Sequence, residues 1–83
     1  MKVEVRYFAA LREALGAGAT VEVADGTTVG ELRTLLVATD ARHVDALGSG
    51  RLLRAARNRR LCADDEVVDP GDEVAFFPPV TGG

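Results

Sequence analysis

The stretch TVGELRTLLVAT, residues 28–39, predicts one long amphipathic helix in a chain that is otherwise rich in short strands and turns. Thr28 and Glu31 are spaced as a capping box, in which a hydroxyl and a carboxylate bond the free amides of the first helical turn. Four apolar residues of the stretch fall on one face, which is typical of a helix packed on a core. They are Val29, Leu32, Leu35 and Leu36.

Before this helix, the sequence predicts two strands and a short helix. Residues 2–8 alternate between an apolar face and a charged face that also carries Phe8. The expected core positions are Val3, Val5 and Tyr7, and the expected solvent positions are Lys2, Glu4, Arg6 and Phe8. Helical spacing follows over residues 9–15, and a strand over 20–24 ends at the turn Asp25-Gly26.

After the long helix, the sequence predicts a shorter helix and then three strands joined by two turns. The helix lies within 40–50, with Val44 and Leu47 on one face and Gly48-Ser49-Gly50 at its end; the strands cover 52–56, Leu61 onward and 73–77; the turns centre on Asn58 and on Asp69-Pro70-Gly71-Asp72. This pattern indicates an α+β domain, one sheet covered on one face by one main helix, over residues 1–77. Residues 78–83 are then an extended tail, and the order of the strands does not follow from the pattern.

The composition excludes several classes of function. Ten basic and thirteen acidic side chains in 83 residues give a net charge of −3, whereas nucleic-acid readers are usually basic. One cysteine forbids an internal disulfide, and with a single histidine it excludes a self-contained zinc site, so we expect no metal. No apolar stretch approaches the ~20 residues that cross a bilayer, and no signal-peptide core is present, so we expect a cytoplasmic protein without membrane partners.

The two residue types most often used as nucleophile or ligand do not predict chemistry here. Cys62 is followed by acidic residues, and nearby carboxylates raise the pKa of a thiol and suppress the reactive thiolate. We therefore expect Cys62 to be structural. His43 has no other histidine or cysteine beside it in sequence, which favours neither catalysis nor metal binding.

A basic stretch, residues 51–60, directly precedes an acidic stretch, residues 64–73. The arginines are Arg51, Arg54, Arg57, Arg59 and Arg60. Two interpretations remain open. The charges can form solvated strand edges that discourage aggregation, or a docking surface that steers association with a partner protein. The acidic residues lack the spacing and central glycine of a calcium loop.

The chain ends with FFPPVTGG, residues 76–83. Two prolines cannot continue a central strand and favour an extended polyproline conformation, so the tail can reach about 20 Å beyond the sheet. Gly82 and Gly83 have no Cβ, so they can thread a narrow channel and leave a terminal carboxylate sterically open. The alternative is a frayed terminus without function.

A terminal carboxylate is an anion at neutral pH and therefore a weak electrophile. Conversion to an acyl-adenylate supplies a leaving group that a sulfur nucleophile can displace, which gives a thioester or a thiocarboxylate. The sequence contains no phosphate-binding glycine loop followed by Lys and Ser or Thr. We therefore expect a partner enzyme to use ATP on the tail, and no cofactor bound by the chain itself.

Over essentially its full length, the chain resembles the sulfur-carrier small subunits of molybdopterin synthase, which are members of the β-grasp, ubiquitin-like superfamily. The resemblance rests on residues 3–8 with Ala9-Ala10-Leu11-Arg12-Glu13, on Thr28-Val29-Gly30-Glu31-Leu32 and, most specifically, on GDEVAFFPPVTGG at 71–83. It implies a β-grasp fold, in which a mixed sheet packs against one main helix and a flexible Gly-Gly tail follows.

The resemblance also implies a function. In the family, an adenylating enzyme of the ubiquitin-activating type activates the terminal glycine, here Gly83, and a sulfur donor converts it to a thiocarboxylate. The tail inserts into the large subunit of molybdopterin synthase, where the sulfur passes to cyclic pyranopterin monophosphate in a heterotetramer. The small subunit is then a recharged co-substrate rather than a catalyst. The matching tail residues are Pro78, Pro79, Val80, Thr81 and Gly82.

Three further residues predict a partner-binding surface. Phe8 falls on the charged face of the first strand, and Leu61 follows the hairpin turn. Phe77 falls opposite Val74 and Phe76 along the last strand. Exposed aromatic side chains that lie close together usually mark partner sites, and the resemblance places contacts with the large subunit at these three positions.

Arg57 stands where the family usually has an apolar residue, so the resemblance does not say how this hairpin meets a partner. Alternatives share the Gly-Gly end: a thiamine-type sulfur carrier, a ubiquitin-like protein modifier, or a β-grasp interaction module whose tail is never activated. The Pro-Pro-Val-Thr segment, residues 78–81, and the chain length favour the molybdopterin carrier over the thiamine carrier.

Overall fold

The structure, a computed structural model, describes residues 1–39, 41–48 and 52–79. Its elements are β1 (Lys2–Tyr7), α1 (Ala10–Leu15), β2 (Gly18–Glu22), α2 (Val29–Thr39), α3 (Ala41–Leu47), β3 (Arg54–Arg57), β4 (Arg60–Cys62) and β5 (Glu73–Phe77). The strands form one sheet in the order β2-β1-β5-β3-β4, in which β1 and β5 are parallel and the other pairs are antiparallel. The predicted α+β class and its β-grasp arrangement are confirmed.

Strand β5 lies in the middle of this sheet, with β1 on one edge and β3 on the other. Val74, Ala75 and Phe76 are all buried, and the strand is paired on both edges. The first and last strands of the chain are thus direct neighbours. This long-range pairing is what the sequence pattern left open.

The core lies between α2 and the inner face of the sheet. The alternation predicted for β1 is confirmed, because Val3, Val5 and Tyr7 are buried and the residues between them are exposed. The capping box is also confirmed: the Glu31 N–H donates to Thr28 Oγ1 at 3.1 Å, and the Thr28 N–H donates to Glu31 Oε1 at 3.1 Å. These bonds fix the start of α2, whose bounds match the prediction.

The prediction for the apolar face of α2 is wrong for one residue. Leu32 and Leu36, which lie one turn apart, are buried, whereas Leu35 has 37% of its surface exposed. The buried stripe of α2 is therefore narrower than the sequence indicates.

Two strand boundaries also differ from the prediction. Strand β2 covers Gly18–Glu22 rather than 20–24, because its register with β1 brings Gly18 opposite Arg6. Strand β3 begins at Arg54, and Leu52, which was predicted to lie in this strand, precedes it with 78% of its surface exposed.

The predicted shorter helix is α3, and its Leu47 is buried. Arg33 of α2 donates two hydrogen bonds, at 2.5 and 2.7 Å, to carbonyl oxygens at the end of α3. This side chain satisfies acceptors that a helix end leaves without an internal partner. Two details of the prediction fall outside the described residues: the position of the Val44 side chain and the end of the helix at Ser49-Gly50.

Both predicted turns are confirmed, the one that joins β3 to β4 and the one that precedes β5. Asn58 and Arg59 have φ values of 51° and 69°, as a two-residue type I′ turn requires. Gly71 has a φ of 80°, which suits the third position of a type II turn before β5. Asn58 also joins the two regions, since its N–H donates to the Glu73 carbonyl oxygen at 2.8 Å and its Oδ1 accepts from the Glu73 N–H at 2.9 Å.

Arg57 points to the helix side of the sheet, level with Val74 in the register. Its guanidinium donates to Asp72, to Asp69 Oδ2 at 2.7 Å and to Glu66 Oε2 at 3.5 Å. The basic and acidic stretches are thus partly joined to each other inside the fold. The arginine that departs from the family pattern holds the β4–β5 connection against the hairpin.

Asp72 is the one charged side chain that is buried among the described residues. Burial by itself would raise the pKa of Asp72, but hydrogen bonds from the Asn58 amide, the Asp69 N–H and the Arg57 guanidinium outweigh it. The pKa of Asp72 is therefore lowered, and the side chain is a paired carboxylate at neutral pH.

We expect Gly18→Ala to lower the free energy of unfolding by about 3 kcal/mol. An added Cβ would collide with the carbonyl oxygen of Val5, at a φ of +151°. Gly26→Ala is the matched control, because its φ is also positive but its Cβ would meet no atom within 4 Å. The control should cost about 1 kcal/mol for the backbone conformation alone. Urea denaturation measures both values, and equal losses would contradict the close approach at Gly18.

We expect Asp72→Asn to lower the free energy of unfolding at pH 7 by about 1–2 kcal/mol, because it weakens charge-assisted hydrogen bonds. A carboxylate with a lowered folded pKa stabilises the protein above its unfolded pKa, near 3.9, and this contribution is lost as the pH falls through the folded pKa. The difference between wild type and variant should therefore shrink below about pH 4.

The matched control is Asp65→Asn, which removes an exposed carboxylate from the same connection. Urea denaturation at pH 7 and pH 3 compares the three proteins. A wild-type advantage over Asp72→Asn that persists unchanged at pH 3 would show that the carboxylate charge is not the stabilising feature.

Candidate docking face and tail exit

The tail leaves the fold from the end of the central strand. Strand β5 ends at Phe77, and the half-buried Pro78 and Pro79 follow it without regular secondary structure. The end of β1 lies alongside, where the Phe8 N–H donates to the Phe76 carbonyl oxygen at 3.3 Å. The tail therefore starts from a firmly paired part of the sheet.

Pro78 lines a groove between α1 and α3, together with Leu11 and Leu53. This contact supports the base of the tail on its helical side. The rest of the predicted tail lies outside the described residues, so its role stays a prediction, as does the division of the chain after residue 77. These residues are Val80, Thr81, Gly82 and Gly83.

The sheet face opposite α2, called the open face below, brings two of the predicted partner-binding residues together. Phe8 is 47% exposed, and with the half-buried Phe77 it lines a shallow depression beside the tail exit. The floor of this depression contains Ala56 and Ala75, which are paired in register between β3 and β5. Their small side chains leave the floor flat and the aromatic rings accessible.

Leu61 lies on the same open face but not in the depression. It is 64% exposed on the edge strand β4, where it pairs in register with Ala56. One strand, β3, separates it from the strand of Phe77, and two strands separate it from Phe8. Of the three predicted residues, Phe8 and Phe77 therefore lie together, and Leu61 forms a second apolar site on the same face.

Four arginines surround the depression, and we call them the basic rim: Arg6, Arg12, Arg54 and Arg59. Arg6, Arg12 and Arg59 line the depression, and the exposed Arg54 lies level with Phe77 in the register. The sequence did not predict this set, because its members come from β1, α1, β3 and the hairpin turn. Two partial signals came from the sequence: the alternation of β1, which puts Arg6 and Phe8 on one face, and the docking interpretation of the basic stretch, which contains Arg54 and Arg59.

Glu73 is the one acidic residue among the described residues that line the depression. Its Oε2 lies 3.6 Å from Arg6 Nε, and its Oε1 lies 4.0 Å from Arg59 Nε. These are long contacts between exposed groups, which contribute little to stability. The carboxylate therefore offsets part of the positive charge without neutralising it.

Cys62 and His43, the other candidates for chemistry, lie away from the depression. Burial raises the pKa of the Cys62 thiol, and Glu66 and Asp64 raise it further, which confirms that carboxylates suppress the thiolate. Half-buried His43 packs against Tyr7, with 3.4 Å between His43 Nε2 and the Tyr7 hydroxyl oxygen. Burial raises the pKa of Tyr7, so this hydroxyl stays protonated. Neither residue is therefore assigned a chemical role.

Two further observations concern only the described residues, 1–39, 41–48 and 52–79. They contain no group of three or more His, Cys, Asp or Glu side chains placed to hold a metal ion. They also contain no helix that is long and apolar enough to cross a membrane.

Two curated relatives match the chain over nearly its whole length. The molybdopterin synthase sulfur carrier subunit of Escherichia coli is 48% identical over 81 residues, which cover 98% of this chain and 99% of the relative. The small archaeal modifier protein 3 of Haloferax volcanii is 34% identical, with full coverage of both chains.

Two solved structures have the same fold. In a complex of subunits 1 and 2 of the molybdopterin-converting factor of Helicobacter pylori, one chain matches with a TM-score of 0.69, 25% identity and full coverage of both chains. A ubiquitin of Caldiarchaeum subterraneum matches with a TM-score of 0.64 and 25% identity, over 100% of this chain and 98% of that chain. The ThiS family matches residues 5–83. The chain, with its ubiquitin-like β-grasp fold, therefore belongs to the ThiS family.

Proposed function

We propose that this protein is a sulfur carrier in molybdenum cofactor biosynthesis. A partner enzyme adenylates the carboxylate of Gly83, a sulfur donor converts the adenylate to a thiocarboxylate, and the loaded tail enters the large subunit of molybdopterin synthase. There the sulfur passes to cyclic pyranopterin monophosphate. The working assembly is a heterotetramer of two small and two large subunits in the cytoplasm.

The observation that carries this proposal is the 48% identity, over 98% of the chain, to a molybdopterin synthase sulfur carrier subunit. The family match runs through Gly83 and so includes the whole tail. The Helicobacter pylori complex supports a large-subunit partner, because one of its chains has the same fold over its full length.

The chemistry divides between the partner and this chain. The Gly83 carboxylate oxygen attacks the α-phosphorus of ATP, pyrophosphate leaves, and a mixed anhydride forms. A sulfur nucleophile then attacks the acyl carbon, and AMP leaves with the former carboxylate oxygen. This chain contributes the acyl group and brings no phosphate-binding loop, so the nucleotide belongs to the partner.

The fold gives the tail a rigid base. Because β5 is paired on both edges, a pull on the tail acts on a strand that two neighbours hold by hydrogen bonds. Pro78 and Pro79 then extend the chain away from the sheet at roughly 3.1 Å per residue. The small Gly82 lets the last residues pass through a channel too narrow for a side chain.

The open face supplies the docking surface that the mechanism requires. Phe8 and Phe77 flank the point where the tail leaves, so a partner that binds them is placed at the mouth of its own tail channel. Leu61 extends the apolar surface to the edge of the sheet. Exposed apolar residues flanked by charges are typical of protein interfaces.

A second candidate is a ubiquitin-like protein modifier, favoured by the 34% identity to the Haloferax volcanii small archaeal modifier protein. It uses the same adenylated Gly83 but ends with an amide bond to a lysine of another protein. The thiamine-type carrier shares the thiocarboxylate and differs only in the synthase that consumes it.

We expect the chain, incubated with its activating enzyme, ATP and a sulfur donor, to gain the mass of one sulfur in place of one oxygen. Fragmentation in the mass spectrometer should assign the change to Gly83. A chain with one alanine appended after Gly83 is the matched control. It should support no molybdopterin synthesis but retain the wild-type melting temperature, because the fold ends before the tail. Molybdopterin synthesis by the extended chain would refute the terminal-carboxylate mechanism.

We expect the purified thiocarboxylate form to yield molybdopterin with the molybdopterin synthase large subunit and cyclic pyranopterin monophosphate. The same form should yield no thiazole product with the thiamine synthase. The activated chain, added to a cell extract, should give no amide-linked conjugates on a denaturing gel. Conjugates that disappear in a Gly83-deleted chain would favour the modifier, and a thiazole product would favour the thiamine carrier.

A further inference from the structure

Positive charge is concentrated around the depression on the open face. The open face carries the four arginines of the basic rim around its aromatic pair. The acidic connection between β4 and β5 lies on the helix side, where the Val29 and Gly30 N–H groups donate to the Glu66 and Asp64 carbonyl oxygens. A chain with a net charge of −3 thus presents one locally basic face.

In the hairpin, strand alternation and the turn set the side on which each arginine lies. Arg57 points to the helix side and is held by three carboxylates, whereas Arg54 and Arg59 belong to the open face. The Arg59 side chain is 89% exposed. Neither Arg12 nor Arg54 makes an ion pair with any residue in the described part of the chain. The rim therefore retains donors for a partner.

We propose that the open face docks on an acidic surface of the protein partner. Carboxylates of the partner bind the basic rim around the aromatic pair, Phe8 and Phe77. This inference rests on the proposed function, so the partner is the large subunit of molybdopterin synthase. Glu73 is the internal competitor: its contacts of 3.6 Å to Arg6 and 4.0 Å to Arg59 are long enough to give way to carboxylates of the partner.

A protein surface fits this face better than a free polyanion does. The centre of the face is apolar, with Phe8, Phe77 and the two alanines of its floor, and nucleic-acid phosphates would leave that centre unpaired. An apolar centre with a charged rim is the usual anatomy of a protein interface. Charges at such a rim act mainly on the association rate and its salt dependence.

The test measures association of the full chain with the purified large subunit by stopped flow, from about 10 mM to about 0.5 M salt, where screening becomes nearly complete. We expect the wild-type association rate to fall at least tenfold across this range. The double variant Arg54→Gln/Arg59→Gln should lose about tenfold at low salt and little at high salt. Glu73→Gln should associate faster than wild type at low salt.

Two matched variants separate charge from shape. Arg54→Lys/Arg59→Lys keeps the charge and should retain most of the wild-type rate. Arg60→Gln removes an exposed arginine of the same hairpin whose register partner, Arg57, points to the helix side, so it should leave the rate unchanged. An effect of Arg60→Gln as large as that of the rim variants would overturn the proposal, since it would show a response to net charge alone.

The remaining outcomes distinguish this inference from the function on which it rests. Salt-independent association of a chain that still becomes sulfurated at Gly83 would overturn the acidic docking surface and leave the carrier function standing. No association and no sulfuration would overturn both. Rim-dependent binding of a single-stranded oligonucleotide without binding of the large subunit would assign the face to a polyanion and also overturn the proposal.

Discussion

The parallel pairing of β1 with β5 is the constraint on which the rest of the structure depends. It joins the first and last strands, so the N-terminal hairpin and the C-terminal half become one sheet. It also brings Phe8 beside Phe77 and puts both at the point where the chain leaves the fold. Without this pairing, neither the depression on the open face nor the base of the tail would exist.

Strand alternation and the hairpin turn together decide what each arginine of the hairpin does, since alternation separates Arg54 from Arg57 and Arg59 lies in the turn. Arg57 and Arg59 are two residues apart in the chain, yet Arg57 closes a network with Asp72 on the helix side and Arg59 lies on the open face. One basic stretch of sequence therefore serves two purposes. The two interpretations of that stretch, structural charge and docking charge, apply to different residues within it.

The sequence was informative wherever the controlling interaction is local. The capping box of Thr28 and Glu31, the positive φ of Asn58 and the alternation of β1 each depend on residues within a few positions, and each is confirmed. The end of α2, at Thr39, was also placed correctly. The β-grasp arrangement came from the resemblance rather than from the pattern.

The strand order and the basic rim could not be predicted from pattern, because both depend on contacts between distant residues. Arg6, Arg12, Arg54 and Arg59 become neighbours only after β1 and β5 pair. The ion pairs of Arg57 could not be predicted either, since its partners lie along the β4–β5 connection. The role of the tail stays a prediction, since residues 80–83 lie outside the described residues.

The central position of β5 also has a kinetic consequence. The β1–β2 and β3–β4 hairpins close short loops and can form early, whereas β5 must find β1 across most of the length of the chain. Pairing of β5 with β1 is then a late event in folding. It completes the sheet and brings the aromatic pair, Phe8 and Phe77, together at the same time. A protein that binds this aromatic pair would therefore select fully folded molecules over incompletely folded chains.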